Sequence, residues 1–452
     1  MKAPGAKTFY ACSNCGSTFA KWSGQCPDCG AWDTMHEEKA PAAGATRAAK
    51  GRARVEAPPT LSEVNADTLA LLATGIAELD NVLGGGASPG STVLVGGEPG
   101  IGKSTLMLQA AGRLAQRGYG TLYMSGEESA AQIKRRADRL GIRSDLHIGT
   151  DTEVDLILAS ADTIKPRALI VDSIQTTVDR QLQSPPGTVS QIRETALTIS
   201  QWARAHNAVA FLIGHVTKEG FIAGPKVLEH LVDTVLQFEG DRRQWIRILR
   251  CLKNRYGSTH EVGLFEMTER GLAQIENPSA HFLSERPEDV PGSAVAVAIE
   301  GRRPLLVEVQ ALVGEGGGVP QRVMSGYDAR RAAILIAILQ NSGGLRLAGR
   351  DVYLNLVGGY TSDEPAIDLA GAMSISSAAL KKPVPAGTVF IGEVGLAGEI
   401  RGVPQIAPRL NEAEKLGFRQ AVIPQVNTRD LPPAGDLEVV GVRTLDHALR
   451  LL

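Results

Sequence analysis

The stretch GGEPGIGKST, residues 96–105, has the residue types and spacing of a phosphate-binding loop. Gly97 is followed by four residues and then by Gly102, Lys103 and Ser104, between a predicted strand and a predicted helix. Glycines let backbone N–H groups wrap phosphate oxygens, and a helix N-terminus adds positive partial charge. The motif predicts that Lys103 reaches the β and γ phosphates of ATP and that the Ser104 hydroxyl binds Mg²⁺. The predicted nucleotide-binding residues are Gly97, Gly100, Gly102, Lys103, Ser104 and Thr105.

Acidic residues follow two other predicted strands. Asp172 lies at the end of RALIVDS (167–173), where it could hold the water shell of Mg²⁺; the alternative is a helix N-cap. Glu127 and Glu128 follow GTLYMSG (120–126), and one of them could polarise an attacking water. The alternative is that both merely begin the next helix, where acids are favoured. Together with the phosphate loop, these acids predict ATP hydrolysis.

Four cysteines near the N-terminus have the spacing C-x2-C-x10-C-x2-C: Cys12, Cys15, Cys26 and Cys29. Four thiolates suit tetrahedral Zn²⁺ with no open position, so the pattern predicts a structural zinc site. The alternatives are a redox dithiol or an iron site. Cys251 lies in an apolar stretch and is expected to be a small buried residue.

Composition and length restrict the class of protein. The 452 residues predict about two to four domains. A net charge of -2 with 43% hydrophobic residues suits a soluble globular chain and excludes a uniformly basic nucleic-acid coat. We expect a cytoplasmic protein with no membrane segment, because the first residues lack the apolar core of a secretory signal and no apolar run is long enough to span a bilayer.

The order of predicted elements indicates an α/β fold with several domains. We predict a zinc-ribbon module at 1–36, a flexible linker at 37–60, a P-loop ATPase domain at 61–280 and a further α/β domain at 285–452. The cations of the linker could contact nucleic acid, although solvated tethers of this composition are common. The ATPase domain alternates apolar runs with helical patterns, as parallel sheets do. Its strand candidates are 91–97, 120–126, 167–173, 208–215 and 233–240, followed by 244–254 and 261–267, which suggest an edge hairpin.

The sequence TGIAELDNVLGGGASPGSTVLVGGEPGIGKST (74–105) is similar to the opening of RecA-type ATPases. With the zinc module, KNRYG (253–257) and GHVTKEGFIAGPKVLEH (214–230), the whole chain resembles the bacterial RadA family, RecA-like DNA repair ATPases with an N-terminal zinc finger and a Lon-protease-like C-terminal domain. The resemblance implies a DNA-dependent ATPase of recombinational repair. It further implies a ring hexamer that processes branched intermediates and promotes branch migration, with single-stranded and branched DNA and a RecA-type recombinase as partners.

The resemblance also implies roles for individual residues. The segment GEESAAQI is similar to the one that carries the catalytic glutamate in DnaB-type helicases, which selects Glu127 over Glu128. His215 matches the position that senses the γ-phosphate; its alternative is a strand-end histidine with no such task. A dissociating γ-phosphate is stabilised by an inserted cation. Lys253 and Arg255 are two apart on a predicted strand, so they should point the same way. The resemblance to DnaB-type helicases directs this pair to the neighbouring subunit's site; the alternative is a solvated edge-strand pair.

Two loops are candidates for DNA contact. The segments 176–191 and 217–226 follow the Mg²⁺ acid and the sensor strand, and in RecA-like rings the corresponding loops face the central channel. Lys218, Lys226 and Phe221 offer cations and an aromatic ring for tracking the backbone and stacking bases, and Arg180 is a weaker candidate. The alternative is that both are flexible surface loops.

The region from about 285 resembles the proteolytic domain of Lon proteases, but it lacks their chemistry. Ala366 stands at the serine position of the family motif, in DEPAID, and Ala407 stands where the lysine would fall. Without nucleophile and base we expect no peptide hydrolysis. We interpret the domain as a scaffold for ring assembly, with arginines available for DNA: Arg302, Arg303, Arg330, Arg331, Arg346 and Arg350. The alternative functions are an ATP-dependent protease and a KaiC-like signalling ATPase.

Overall fold

The computed structural model describes most of the chain as two compact units. The described residues are 8–12, 17–28, 30, 32, 34–39, 60, 70–215, 225–240, 246–284, 286–287, 289–316, 319–429, 431 and 435–452. One unit is Met1–Arg242 with Arg247–Gln274, and the other is Ile275–Leu452 with Arg243–Ile246. Some predicted features lie outside the described residues: 40–59 of the linker, Cys15, Cys29, Lys218 and Phe221. Within the described ranges no helix has the length and apolar character needed to cross a bilayer.

Three short antiparallel strands form the N-terminal module. They are β1 (Thr8–Cys12), β2 (Thr18–Phe19) and β3 (Met35–Lys39), in the order β2-β1-β3. Cys12 and Cys26 are both buried and pack in one small cluster with Met35. The fold therefore brings one cysteine from each C-x2-C pair together.

A nine-stranded sheet forms the centre of the first unit, in the order β12-β11-β10-β9-β4-β8-β7-β5-β6. Its strands are β4 (Thr92–Gly97), β5 (Thr121–Ser125), β6 (His147–Gly149), β7 (Ala168–Asp172), β8 (Val209–Ile213), β9 (Thr234–Glu239), β10 (Ile246–Asn254), β11 (Val262–Thr268) and β12 (Gly271–Gln274). The six strands from β9 to β6 in this order are parallel, whereas β10 is antiparallel to β9. The predicted parallel core is confirmed, and β10 and β11 are neighbours as the predicted hairpin requires. Strands β6 and β12 were not predicted.

Helices cover both faces of this sheet. They are α1 (Ala77–Leu83), α2 (Lys103–Gln116), α3 (Ala130–Arg139), α4 (Val154–Ile164), α5 (Val189–His206) and α6 (Pro225–Leu231). Successive residues of β4 face opposite layers: Val93 and Val95 pack in the cluster that contains Leu106 of α2, and Leu94 packs in the cluster that contains Ile199 of α5. Because both faces are covered, the parallel strands are continuous apolar runs.

The second unit is built on a seven-stranded mixed sheet in the order β15-β16-β14-β13-β17-β20-β21, beside the pair β18-β19. Its strands are β13 (Ser293–Glu300), β14 (Arg303–Gly314), β15 (Arg322–Ser325), β16 (Asp351–Leu356), β17 (Thr388–Phe390), β18 (Glu393–Val394), β19 (Ile400–Arg401), β20 (Gln420–Pro424) and β21 (Glu438–Val442). Its helices are α7 (Pro278–Leu283), α8 (Ala329–Asn341), α9 (Asp368–Leu380), α10 (Ile406–Lys415) and α11 (Leu445–Leu449). Helix α9 is buried along most of its length, which is why its sequence is apolar and small all round.

The two alanines at the protease positions lie beside a buried ion pair. Ala366 is buried in a short 3-10 turn and Ala407 lies in the first turn of α10. Arg409, two residues beyond Ala407, is 1% exposed and pairs with Glu364. Its guanidinium also donates to the carbonyls of Val297 and Pro404. The ion pair of Arg409 and Glu364 therefore stabilises the fold in this region, where neither Ala366 nor Ala407 carries a reactive group.

One arginine proposed for DNA contact is engaged inside the unit. Arg331 pairs with Asp368, whose side chain is fully buried, and lies 3.5 Å from Glu393. The prediction that Arg331 is available to DNA is therefore wrong, because moving Arg331 away would leave the buried carboxylate of Asp368 without its ion-pair partner. Arg330 and Arg346 are exposed.

We predict that Arg409→Met lowers the free energy of unfolding of the second unit by about 3 kcal/mol, because it leaves Glu364 without its buried partner. Calorimetric unfolding of the full chain measures the change. Arg401→Met is the matched control, since Arg401 is 60% exposed and pairs with Glu399 at the surface. Equal shifts in the two variants would contradict a structural role for the buried pair.

Candidate functional site

The predicted phosphate loop joins β4 to α2 and depends on glycine at two positions. Gly97 has φ of +149°, and a Cβ there would lie 2.8 Å from Cβ of Phe238. Gly102 has φ of +120°, and a Cβ there would lie 3.0 Å from Cε of Met267. Side chains at these positions would be strained in the backbone and would clash with neighbouring strands. The loop leads directly into the N-terminus of α2, where backbone N–H groups favour an anion.

Lys103 is buried at the first position of α2, with 3% of its surface exposed. Its Nζ donates to the carbonyl oxygens of Gly97 at 2.7 Å and of Glu98 at 2.9 Å. Burial lowers the pKa of Lys103 to about 8, although Asp172, Glu127 and Glu98 favour its charged form. An ammonium held over the loop in this way is placed to meet phosphate oxygens.

Glu127 and His215 meet at the carboxyl edge of the sheet. One carboxylate oxygen of Glu127, Oε1, accepts a hydrogen bond from the Ser173 hydroxyl at 2.6 Å and lies 2.9 Å from Nε2 of His215. The hydrogen bond with His215 and then that from Ser173 lower the pKa of Glu127 to about 2, against the effect of burial. Glu127 is therefore a carboxylate at any working pH. This is the protonation state that a base requires.

The side chain of Glu128 contacts a different residue from that of Glu127. Its Oε2 lies 2.7 Å from the guanidinium of Arg136 on α3. Helix α3 begins after Glu128, with Ser129 as N-cap in a capping box with Gln132. The alternative that both glutamates only begin a helix therefore fails for Glu127, whose side chain faces His215. The contacts of the two side chains therefore place Glu127, and not Glu128, beside His215.

Asp172 ends β7 with one oxygen engaged and one oxygen buried without a partner. Oδ2 accepts a hydrogen bond from the Tyr123 hydroxyl at 2.6 Å. Oδ1 is buried and has no hydrogen-bond donor among the described residues. The N-cap alternative is wrong, because the chain enters a turn here and α5 begins only at Val189. A buried carboxylate oxygen of this kind, with the Ser104 hydroxyl on α2, fits the oxygen ligands that Mg²⁺ requires.

Lys253 and Arg255 do not share one strand. Strand β10 ends at Asn254, one residue before Arg255, and has an irregularity between Cys251 and Lys253. The prediction that both cations lie on a regular strand is wrong in this respect. Cys251 is buried as expected.

Both cations nevertheless contact the same feature, which is the C-terminal end of α6 with the two residues that join it to β9. Lys253 Nζ donates to the carbonyls of Val232, at 2.7 Å, and Glu229. Arg255 lies 3.3 Å from Oδ1 of Asp233, a buried carboxylate, and donates weakly to the carbonyl of His230 at 3.4 Å. Cations at a helix C-terminus satisfy its last carbonyls.

This segment lies at the edge of the sheet opposite the phosphate loop. Asn254 pairs with Thr234, and Thr234 is next to Val93 at the start of β4. The phosphate loop follows Gly97 at the other end of β4. Because β10 is antiparallel to β9, its carboxyl end lies where the parallel strands begin. The length of strand β4 therefore separates it from the nucleotide site.

Two of the four predicted DNA-contact residues, Lys218 and Phe221, lie outside the described part of the chain. Arg180 is 76% exposed and pairs with Glu153. Lys226 is the second residue of α6. Thr105, predicted to contact nucleotide, is half-buried in the first turn of α2.

Several residues of the site were missed by sequence reasoning. Ser173 follows the Mg²⁺ acid directly and could have been noticed as a polar neighbour. Tyr123 and Asp233 gave no signal, because each bonds to a group on a strand that is distant in sequence. Arg136 of α3 gave no signal, because nothing in its own helix marks its contact with Asp172.

Family models match three segments of the chain. Residues 72–148 match an ATPase model described as KaiC, and residues 10–37 match a rubredoxin metal binding domain. Residues 325–427 match subunit ChlI of Mg-chelatase. The second segment contains all four predicted zinc cysteines.

Known proteins are similar over the whole chain. The DNA repair protein RadA of Pseudomonas aeruginosa PAO1 is 47% identical over 450 residues, covering 99% of each chain. The DNA repair protein RadA of Bacillus subtilis 168 is 45% identical over 449 residues, covering 98% of each chain.

A solved structure is similar over part of the chain. It is that of a KaiC-like protein from the hyperthermophilic archaeon Pyrococcus horikoshii, which is 22% identical with a TM-score of 0.38, covering 46% of this chain and 99% of that one.

These matches confirm the predicted fold class of zinc ribbon, RecA-like P-loop ATPase and C-terminal ChlI- and Lon-like α/β domain. They also confirm the predicted cofactors, which are a structural zinc ion, ATP and Mg²⁺.

The pKa of Lys103 predicts how nucleotide affinity depends on pH. As pH rises through about 8 the unliganded amine loses its proton, so ATP affinity measured in EDTA should fall, approaching tenfold per pH unit. Fluorescence anisotropy of a labelled ATP between pH 7 and 10 measures this. Lys103→Arg is the control, because arginine stays charged and should give a flat profile. A wild-type profile that is flat, or an equal fall in both proteins, would show that Lys103 is not the titrating group.

Proposed function

This chain belongs to the RadA family of DNA repair proteins and is an ATP hydrolase, and from that premise we propose that it is a DNA-stimulated ATPase of recombinational repair. It works as a ring-shaped translocase that processes branched recombination intermediates and promotes branch migration. Its partners are single-stranded and branched DNA and a RecA-type recombinase, and it acts in the cytoplasm.

The nucleotide lies on the phosphate loop. Backbone N–H groups from Gly100 to Thr105 cradle the phosphates, and Lys103 exchanges its two loop carbonyls for β- and γ-phosphate oxygens. Ser104 and Asp172 would hold Mg²⁺, which would supply positive charge to the phosphate oxygens.

Glu127 is the base and His215 senses the γ-phosphate. The carboxylate of Glu127 is held by Ser173 and His215, so it can orient a water and accept its proton. Nδ1 of His215 is buried without a hydrogen-bond partner in the described part of the chain. Because Nε2 of the same ring contacts Glu127, a shift of the imidazole toward the γ-phosphate would change the contacts of the base.

The placement of Lys253 and Arg255 is the observation that carries the proposal of a ring. The described contacts of Lys103 and Glu127 include no arginine for the charge that spreads over the leaving γ-phosphate. The two cations lie at the opposite sheet edge, and a six-residue strand spans about 17–20 Å, so they cannot serve their own site. They serve the site of the next subunit, and a closed homo-hexamer supplies every site with such a pair.

The remaining segments have supporting roles. The zinc ribbon (1–36) and linker (37–60) precede the ATPase domain (61–280), and the Lon-like domain (285–452) is a scaffold for the ring without protease activity, since Ala366 and Ala407 replace nucleophile and base. Residues 176–191 and 217–226 face the central channel. There Lys218, Phe221 and Lys226, with a smaller contribution from Arg180, contact DNA.

We predict that Arg255→Ala binds ATP with wild-type affinity but loses about 10³-fold or more of its DNA-stimulated hydrolysis. Mixing it with Lys103→Ala protein should restore activity, because hybrid interfaces combine an intact Lys103 with an intact Arg255. Steady-state phosphate release measures both effects.

Arg270→Ala is the matched control for this experiment. Arg270 is exposed on the turn between β11 and β12, and its loss should leave hydrolysis unchanged. Wild-type hydrolysis by Arg255→Ala, or no recovery in the mixture, would refute the assignment in trans.

DNA contact by the channel loops is tested through its dependence on salt. Lys218→Ala and Lys226→Ala should each reduce the slope of log affinity for single-stranded DNA against log salt concentration by about one. Lys134→Ala is the control, since Lys134 is an exposed residue of α3 paired with Asp138. Unchanged slopes in both loop variants would place DNA elsewhere.

A further inference from the structure

A chain of four polar side chains lies behind the proposed Mg²⁺ site. Tyr123 of β5 and Arg136 of α3 both approach Oδ2 of Asp172, and Glu128 pairs with Arg136. The proposed hydrolysis mechanism uses only Asp172 of these four residues. The other three are mostly buried polar groups with no assigned task.

Tyr123 fixes the orientation of the carboxylate. Its side chain is fully buried in β5, and its hydroxyl donates to Oδ2 of Asp172 at 2.6 Å. Burial and the neighbouring carboxylate raise the pKa of Tyr123 well above its ordinary value, so the hydroxyl remains a donor. With Oδ2 engaged on the strand side, the second oxygen, Oδ1, is left buried with no donor among the described residues.

Glu128 controls the cation that would compete for this carboxylate. The guanidinium of Arg136 lies 2.7 Å from Oε2 of Glu128 but 4.0 Å from Oδ2 of Asp172. Arginine and carboxylate form strong paired hydrogen bonds when they meet directly, and such a pair would neutralise the acid. The ion pair with Glu128 keeps Arg136 from contacting Asp172 directly. In this position Arg136 lies 3.4 Å from the Tyr123 hydroxyl.

We propose that Tyr123 and Glu128 are positioning residues that keep Oδ1 of Asp172 turned toward the nucleotide and available to Mg²⁺. Tyr123 does so by holding Oδ2, and Glu128 does so by retaining Arg136. This gives the second glutamate of the GEES segment a role distinct from that of Glu127. The inference rests on the proposed assignment of Asp172 to Mg²⁺.

The test measures the requirement for Mg²⁺ apart from catalysis. Binding of a fluorescent ATP analogue is followed by anisotropy, first in EDTA and then during titration with MgCl₂. Tyr123→Phe should raise the half-saturating Mg²⁺ concentration about tenfold, because it removes one hydrogen bond to a charged group. Glu128→Gln should also raise it, because Arg136 is released toward Asp172. For both variants the affinity in EDTA should stay at the wild-type level. Unchanged affinity in EDTA also shows that the variants are folded.

Two control variants make similar chemical changes, the loss of a tyrosine hydroxyl and the neutralisation of an acid, at residues outside the proposed chain of contacts. Tyr119→Phe removes a hydroxyl from a tyrosine of the same unit that lies beside Arg117, and Asp138→Asn neutralises an exposed acid on α3. Both should titrate as wild type. A tenfold shift in either control would overturn the inference, because it would show a general effect of lost polarity.

Asp172→Asn separates failure of the inference from failure of the proposed function. If this variant binds nucleotide with the wild-type Mg²⁺ requirement, the assignment of Asp172 is wrong. If it shifts the titration while Tyr123→Phe and Glu128→Gln do not, Asp172 binds the metal but the positioning role is wrong. Shifts in all three variants support the inference.

Discussion

The common register of four parallel strands is the constraint on which the ATPase site depends. Along one rung of the sheet the paired residues are Ser125, Asp172, Ile213 and Val95, so β5, β7 and β8 end at the same level and β4 ends two residues beyond it, at Gly97. The groups at these strand ends, which are the phosphate loop, Glu127, Asp172 and His215, must therefore converge. Since side chains alternate along a strand, a slip of one residue would turn Asp172 away from the site. Burial of both sheet faces makes such a slip costly, because every apolar residue of the strand would also change layers.

The same constraint separates the site from Lys253 and Arg255. Strand β10 is antiparallel to its neighbour, so the two cations emerge where the parallel strands begin. Each protomer then has a phosphate edge and a cation edge, and in the proposed function the two edges meet between copies. A head-to-tail contact of this kind is heterologous, and it closes into a ring when the rotation between neighbours permits. Asp233 and the carbonyls at the end of α6 give the cations partners within the protomer until that contact forms. Asp233 keeps Arg204 and the N–H of Thr92 as partners when Arg255 leaves.

The sequence predicted the elements of the site better than their connections. Phosphate loop, acids and histidine were found because each follows an apolar run, and parallel strands place such positions at one edge. Glu127 and Glu128 could not be distinguished from the residues alone, because the distinction depends on His215 and Arg136, which are far away in the sequence. The predicted strand 244–254 ends at Asn254, as β10 does, so placing Arg255 on the same strand as Lys253 carried that strand one residue too far. In the second unit the strands β15, β16 and β21 are short or half-exposed, so their periodicity in the sequence is weak.

The central claim is that one protomer is not a complete enzyme. The most direct test is a dilution series in which DNA-stimulated ATPase activity per subunit is measured beside the distribution of molecular masses. The account predicts that activity per subunit falls in parallel with the assembled fraction and vanishes where only monomers are present. Constant activity per subunit in a solution of monomers would contradict it, because Lys253 and Arg255 would then have no neighbouring site to complete.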